Sequence, residues 1–110
     1  MKVKVITDST SDIPTELAGA LDITIVPVYV RFGDIVYRDG EDISSDTFFQ
    51  KLTTSSVYPA TSQPTPEDFS KVYSKYCNDV EGIVSIHISA KISGTYNSAL
   101  LATKTLEPTV

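Results

Sequence analysis

The chain reads as an α/β protein: a small, mostly parallel sheet flanked by helices, with a β-hairpin insertion. Three observations predict this. Short runs dense in β-branched residues alternate with helix-start patterns, as parallel crossovers require. Two of these runs lead straight into hydroxyl-rich loops, Thr7-Asp8-Ser9-Thr10-Ser11-Asp12 and Ser89-Ala90-Lys91-Ile92-Ser93-Gly94-Thr95. Each loop is followed by a segment with helical periodicity.

Val3, Val5 and Ile6 mark the first strand. Pro14 suits the first position of a helix, where its missing N–H costs nothing, and Leu17, Ala18 and Leu21 give that helix an apolar side. Ile23 to Val30 is the next strand, with Pro27 marking an edge, a bulge or a bend. Strand, helix and strand in so few residues imply a right-handed parallel crossover. Tyr29-Val30-Arg31 and Ile35-Val36-Tyr37 flank Phe32-Gly33-Asp34 as a hairpin. Ser44 or Ser45 caps a helix carrying Phe48, Phe49 and Leu52. A polar stretch and a third hydroxyl-rich loop follow, Ala60-Thr61-Ser62-Gln63-Pro64-Thr65.

Thr65-Pro66-Glu67-Asp68 then combines a capping hydroxyl, a first-turn proline and an acid at the capping-box position. Phe69, Val72, Tyr73 and Tyr76 repeat as the core stripe of that helix, and Cys77 is a small core or boundary residue near its end. Gly82 to Ile88 forms the third main strand, and Tyr96, Ala99, Leu100 and Thr103 trace the face of a last helix. Pro108-Thr109-Val110 resembles the start of another strand. Residues 1–110 are therefore expected to be one α/β domain and the first part of something larger. One side of the last helix would lack a partner, and an apolar face around Ile86, Leu100 and Leu101 would favour self-association.

Composition narrows the function classes. With 41% hydrophobic and 21% charged residues the chain is an ordinary globular sequence. Fourteen acidic residues against nine basic ones, a net charge of -5, argue against nucleic acid, which needs a basic face. No run approaches the ~20 apolar residues of a membrane helix, and no signal peptide is evident. Cys77 is the single cysteine, so a cytoplasmic setting is expected. No cofactor is implied, for there is no Gly-rich phosphate loop with its lysine.

The loops carry the chemistry. A strand–loop–helix unit places its loop at the carboxyl end of the sheet, where open α/β folds bind ligands. Helix starts offer free N–H groups and a positive dipole end to an anion. Small hydroxyls add hydrogen bonds without charge or bulk. Together they point to a small anionic head group. Asp8 and Asp12 alone make a poor metal site, and an Asx-type turn is the better reading. His87, the single histidine, is expected to be a satisfied core or half-buried residue. Ser93-Gly94-Thr95 also has a purely structural reading, as a helix cap with a glycine for backbone clearance.

Three motifs in this order resemble the DegV family, bacterial proteins that bind fatty acids. They are Thr7 to Pro14; Pro59-Ala60-Thr61-Ser62-Gln63-Pro64-Thr65-Pro66 followed by Phe69; and Ser89 to Ala99. Gly33-Asp34-Ile35-Val36-Tyr37-Arg38-Asp39-Gly40 also looks like the family's hairpin. The resemblance implies the N-terminal domain of a two-domain α/β protein, with a fatty-acid carboxylate at the domain boundary and the tail mostly in the second domain. On that likeness Thr61 and Ser93 donate hydrogen bonds to the carboxylate. Ser62, Gly94 and Thr95 shape the same loops, and Asp8-Ser9 lines the neighbouring surface. The likeness further implies a long-chain fatty acid as ligand and, for some members, service as the acyl-carrying subunit of a fatty acid kinase. A binding protein rather than an enzyme is expected. The alternatives are a phosphate-handling enzyme, with His87 or Asp8 reactive, and an interaction module docking through Tyr29–Tyr37.

Overall fold

The computed structural model describes residues 2–104. Its strands form two three-stranded sheets. The first is parallel, in the order β2-β1-β6, from β1 (Val3–Asp8), β2 (Ile23–Val26) and β6 (Gly82–Ile86). The second is antiparallel, in the order β4-β3-β5, from β3 (Tyr29–Phe32), β4 (Ile35–Arg38) and β5 (Pro59–Ser62). The expected α/β architecture is present, with the hairpin in a sheet of its own. The helices are α1 (Thr15–Ala20), α2 (Ser45–Thr54), α3 (Pro66–Tyr76) and α4 (Thr95–Thr103).

The parallel crossover β1–α1–β2 forms as expected, with Val5 opposite Ile23 and Asp8 opposite Val26. Pro14 stands one place before α1 as its N-cap. Pro27 ends β2, which is an edge strand, so its absent N–H leaves no gap in a ladder. Gly33, at φ +62°, turns the β3–β4 hairpin in the left-handed region that glycine tolerates. The Ser44 side chain accepts from Thr47 N–H at the start of α2. The capping box of α3 is complete: Asp68 N–H donates to Thr65 Oγ1 at 3.1 Å, and Thr65 N–H donates to Asp68 Oδ2 at 2.9 Å.

The main core lies between the parallel sheet and the helix pair α3 and α4, built from Ile6, Val26, Phe69, Tyr73, Ile83, Ala99 and Ala102. A second, smaller cluster of Val30, Phe32 and Ile43 sits on the antiparallel sheet, with Tyr37 and Phe48 against it. Tyr29 joins the two halves by donating from its hydroxyl to Asp68 Oδ2 at 2.8 Å.

Four expectations need correction. Ala60-Thr61-Ser62 is a strand rather than a loop, because Tyr29–Phe32 offers a free ladder edge that Pro59–Ser62 fills. Leu17 and Leu21 are exposed, and α1 buries only Ala18. Phe49 and Leu52 are also exposed on α2, because the small second cluster takes only Phe48. On α4 the buried face is Thr95, Ser98, Ala99 and Ala102, while Tyr96 and Leu100 face outward: α4 packs closely on α3 and admits only small side chains. Ile86, Leu100 and Leu101 are each exposed. The strand start expected at Pro108-Thr109-Val110 lies outside the described residues.

Candidate functional site

Parallel pairing determines where the first and third loops meet. Because Thr7 lies opposite Ile86 in the β1–β6 ladder, Asp8 and His87 leave the sheet side by side. The Asp8 side chain caps the short 3-10 turn Ser9–Ser11, accepting the Thr10 N–H at 2.9 Å and the Thr10 hydroxyl. Its other oxygen, Oδ2, faces His87 Nδ1 at 2.5 Å. Ser85 Oγ stands 2.5 Å from His87 Nε2, and Tyr73 Oη stands 2.8 Å from Ser85 Oγ. The Phe69 ring meets the imidazole edge-on at 5.0 Å between centroids. Both side chains of the Asp8–His87 pair are 1% exposed. Burial pushes the Asp8 carboxyl up, but the hydrogen bonds from His87 and Thr10 outweigh it and hold the group below the usual carboxylate range.

This corrects the expectation for Asp8, whose carboxylate faces inward and braces the loop from beneath rather than lining a surface. The Asx turn anticipated there is present. The imidazole of His87 is a satisfied core group. Asp8 and His87 were also the reactive residues of a phosphate-handling alternative, and the structure turns them toward each other. Ser9 serves as a stitch: Val28 N–H donates to its Oγ at 3.0 Å, tying the first loop to the chain that enters β3.

Above this braced loop lies a cavity of about 320 Å³ lined by all three hydroxyl-rich segments. Thr10 comes from the first; Thr61, Ser62 and Gln63 from the second; and Ile92, Ser93, Gly94 and Thr95 from the third, with Val28 between. Thr61 reaches it because β5 pairs with β3 in a register that sets Thr61 opposite Val30, so both side chains share one face of that sheet. Ser93 reaches it from the start of α4. Its Oγ accepts from Thr95 N–H at 3.3 Å and lies 3.0 Å from Thr95 Oγ1. One hydroxyl hydrogen satisfies that pair, which leaves the other able to donate into the cavity.

Gly94 is the N-cap of α4, with φ -75° and no side-chain cap bond. Its clearance has a specific use: a Cβ there would lie 2.7 Å from Gln63 Nε2. The glycine lets the Gln63 amide lie against the helix start. Thr10, Val28, Gln63 and Ile92 complete the wall, and the sequence pattern does not mark them as site residues. The β1–β6 register brings in Thr10, and the Gly94–Gln63 contact spans segments whose proximity no local pattern encodes.

The lining of this cavity contains no charged side chain, and a helix start adds the positive end of its dipole. A larger groove of about 780 Å³ lies nearby, between the first loop and α2, and is lined by Ile13, Pro14, Ile25, Pro27 and Phe49. That groove also holds Asp12, Asp39 and Glu41 with no lysine or arginine. By its lining the first cavity suits an anion better than the second, whose carboxylates repel one. Among the described residues no helix is long and apolar enough to cross a membrane.

A family model described as an uncharacterised protein of the DegV family matches residues 2–110. The fatty acid-binding protein of Thermotoga maritima is 39% identical over 112 residues, which span 97% of this chain and 38% of that protein. A DegV family protein from Thermus thermophilus, described as fatty acid binding, is 44% identical with a TM-score of 0.85, covering 96% of this chain and 38% of that one. DegV from Bacillus subtilis, described as a fatty acid binding protein, gives 30% identity and a TM-score of 0.93 over 99% of this chain and 39% of its own. The chain spans about 38% of the length of the curated relatives it matches.

Proposed function

Since the chain belongs to the DegV family, we propose that its cavity between Thr61 and Ser93 receives the carboxylate of a long-chain fatty acid. The observation that carries this reading is the convergence of two hydroxyls and a helix start on one uncharged cavity. A carboxylate leaving water needs such partners, because an unpaired buried charge is very costly. Each hydrogen bond to a charged group is worth about 1.5–3 kcal/mol, and the helix terminus adds about 0.3–1 kcal/mol. The acyl tail contributes most of the affinity, about 0.8 kcal/mol per buried methylene. A volume of about 320 Å³ holds a head group and a few methylenes, so the 110-residue chain should bind short acids weakly. The relatives described as fatty acid-binding support the ligand class.

Octanoate affinity tests the reading. Thr61→Ala and Ser93→Ala should each weaken it roughly tenfold to a hundredfold, the equivalent of one charge-assisted hydrogen bond. Phe49→Ala, in the larger acidic groove, should leave it unchanged. The opposite pattern would place the ligand in that groove and end the proposal.

A further inference from the structure

The Asp8 carboxylate lies directly behind one wall of the cavity, since Thr10 both lines the cavity and donates its N–H to Asp8. An anionic head group entering there meets a buried like charge, which is unfavourable unless something cancels it. The cancelling group in contact with Asp8 is His87, 2.5 Å away. When the imidazole is neutral the pair carries one negative charge, and when it is protonated the pair carries none. We propose that binding an anionic head group in this cavity is coupled to proton uptake by the buried Asp8–His87 pair, with His87 as the positioning residue whose charge offsets that of Asp8.

The surroundings of His87 accommodate both charge states. With Nδ1–H donating to Asp8, a neutral ring accepts at Nε2 from the Ser85 hydroxyl, which in turn accepts from Tyr73. A protonated ring donates from Nε2 to Ser85 Oγ, which can still accept. The groups facing the ring are Asp8 from β1, Ser85 from β6, and Phe69 and Tyr73 from α3. Tyr96 of α4 lines a shallow cavity beside it. Tyr73 titrates only at high pH, because burial pushes its hydroxyl above the ordinary tyrosine value. No lysine or arginine lines either cavity beside the ring. The basic residue buried on β1, Lys4, is committed to Asp22 at 2.9 Å. Histidine is the side chain whose charge ordinarily changes near neutrality.

This inference rests on the head-group reading, and octanoate binding to the 110-residue chain tests both. Wild-type affinity should rise about tenfold from pH 8 to pH 6, the order expected of one neighbouring charge. Octan-1-ol, which carries no charge, should bind equally at both. Asp8→Asn keeps an acceptor for Thr10 and removes the charge. It should bind octanoate at pH 8 as tightly as the wild type does at pH 6. His87→Gln should be flat and weak. Calorimetry in two buffers of different ionisation enthalpy gives an independent wild-type readout: about half a proton taken up per octanoate at pH 7, the uptake that a tenfold rise over two pH units requires.

A flat wild-type profile, zero proton uptake, or a wild-type slope retained in His87→Gln overturns the coupling. A retained slope would assign the effect to the ligand's own carboxyl. If Thr61→Ala still loses binding in any of those cases, the head-group reading stands alone. If octanoate binding is absent, or indifferent to Thr61→Ala, both fall.

Discussion

Gly94 shows how a single residue's lack of a side chain shapes the cavity. Its backbone lies at an ordinary φ of -75°, so alanine there brings no conformational strain. What alanine does bring is a methyl group 2.7 Å from Gln63 Nε2, at the far end of a flexible side chain that can move aside. Gly94→Ala should therefore change stability by roughly 1 kcal/mol or less, as N-cap substitutions of glycine do. It should also displace the Gln63 side-chain amide signals in an NMR spectrum. Unmoved Gln63 signals would mean that this side chain does not rest on the start of α4. At the same scale, Asp8 and His87 illustrate what sequence reading reaches and misses. The Asx turn at Asp8 is a local pattern and was legible. The Asp8–His87 contact joins residues far apart in the chain, and it follows only once β1 and β6 are known to pair in parallel with Thr7 opposite Ile86.

Among the elements, α3 is the most fully encoded. Its capping hydroxyl, first-turn proline and acidic third position are all local, and the capping box forms as read. Asp68 also has a long-range task, accepting the Tyr29 hydroxyl and so joining the antiparallel sheet to α3. Burial pushes the Asp68 carboxyl up, yet the bonds from Thr65 and Tyr29 outweigh it and hold the group below the ordinary aspartate range. The sign follows directly: stability from this group is fully present above its unfolded value, near pH 4, and is lost as pH falls through its lower folded value. Thermal unfolding followed from pH 5 to pH 2 should show a shallower acid loss for Asp68→Asn than for the wild type, from a lower starting stability. Equal slopes would remove Asp68 from the acid response. The strand β5 was illegible for the converse reason. Pro59–Ser62 has no β-rich run of its own and becomes a strand because β3 presents an open edge. The outward-facing Leu17, Leu21 and Phe49 likewise reflect partner surfaces that helical periodicity alone does not reveal.

At the scale of the whole molecule, two sheets divide the work. The parallel sheet brings the first and third loops together at its carboxyl end, and the antiparallel sheet delivers Thr61 against them. Two neighbouring cavities compete for a ligand, one uncharged and hydroxyl-lined, the other larger and bordered by Asp12, Asp39 and Glu41. Size alone would favour the larger; charge favours the smaller for a carboxylate. The most direct measurement is an amide chemical-shift map of the isotope-labelled chain titrated with octanoate. Saturable shifts are expected, concentrated at Thr10, Thr61–Gln63 and Ser93–Thr95 and lost together in Thr61→Ala. Shifts centred on Ile13, Ser45 and Phe49, or no saturable shift at all, would contradict the head-group reading.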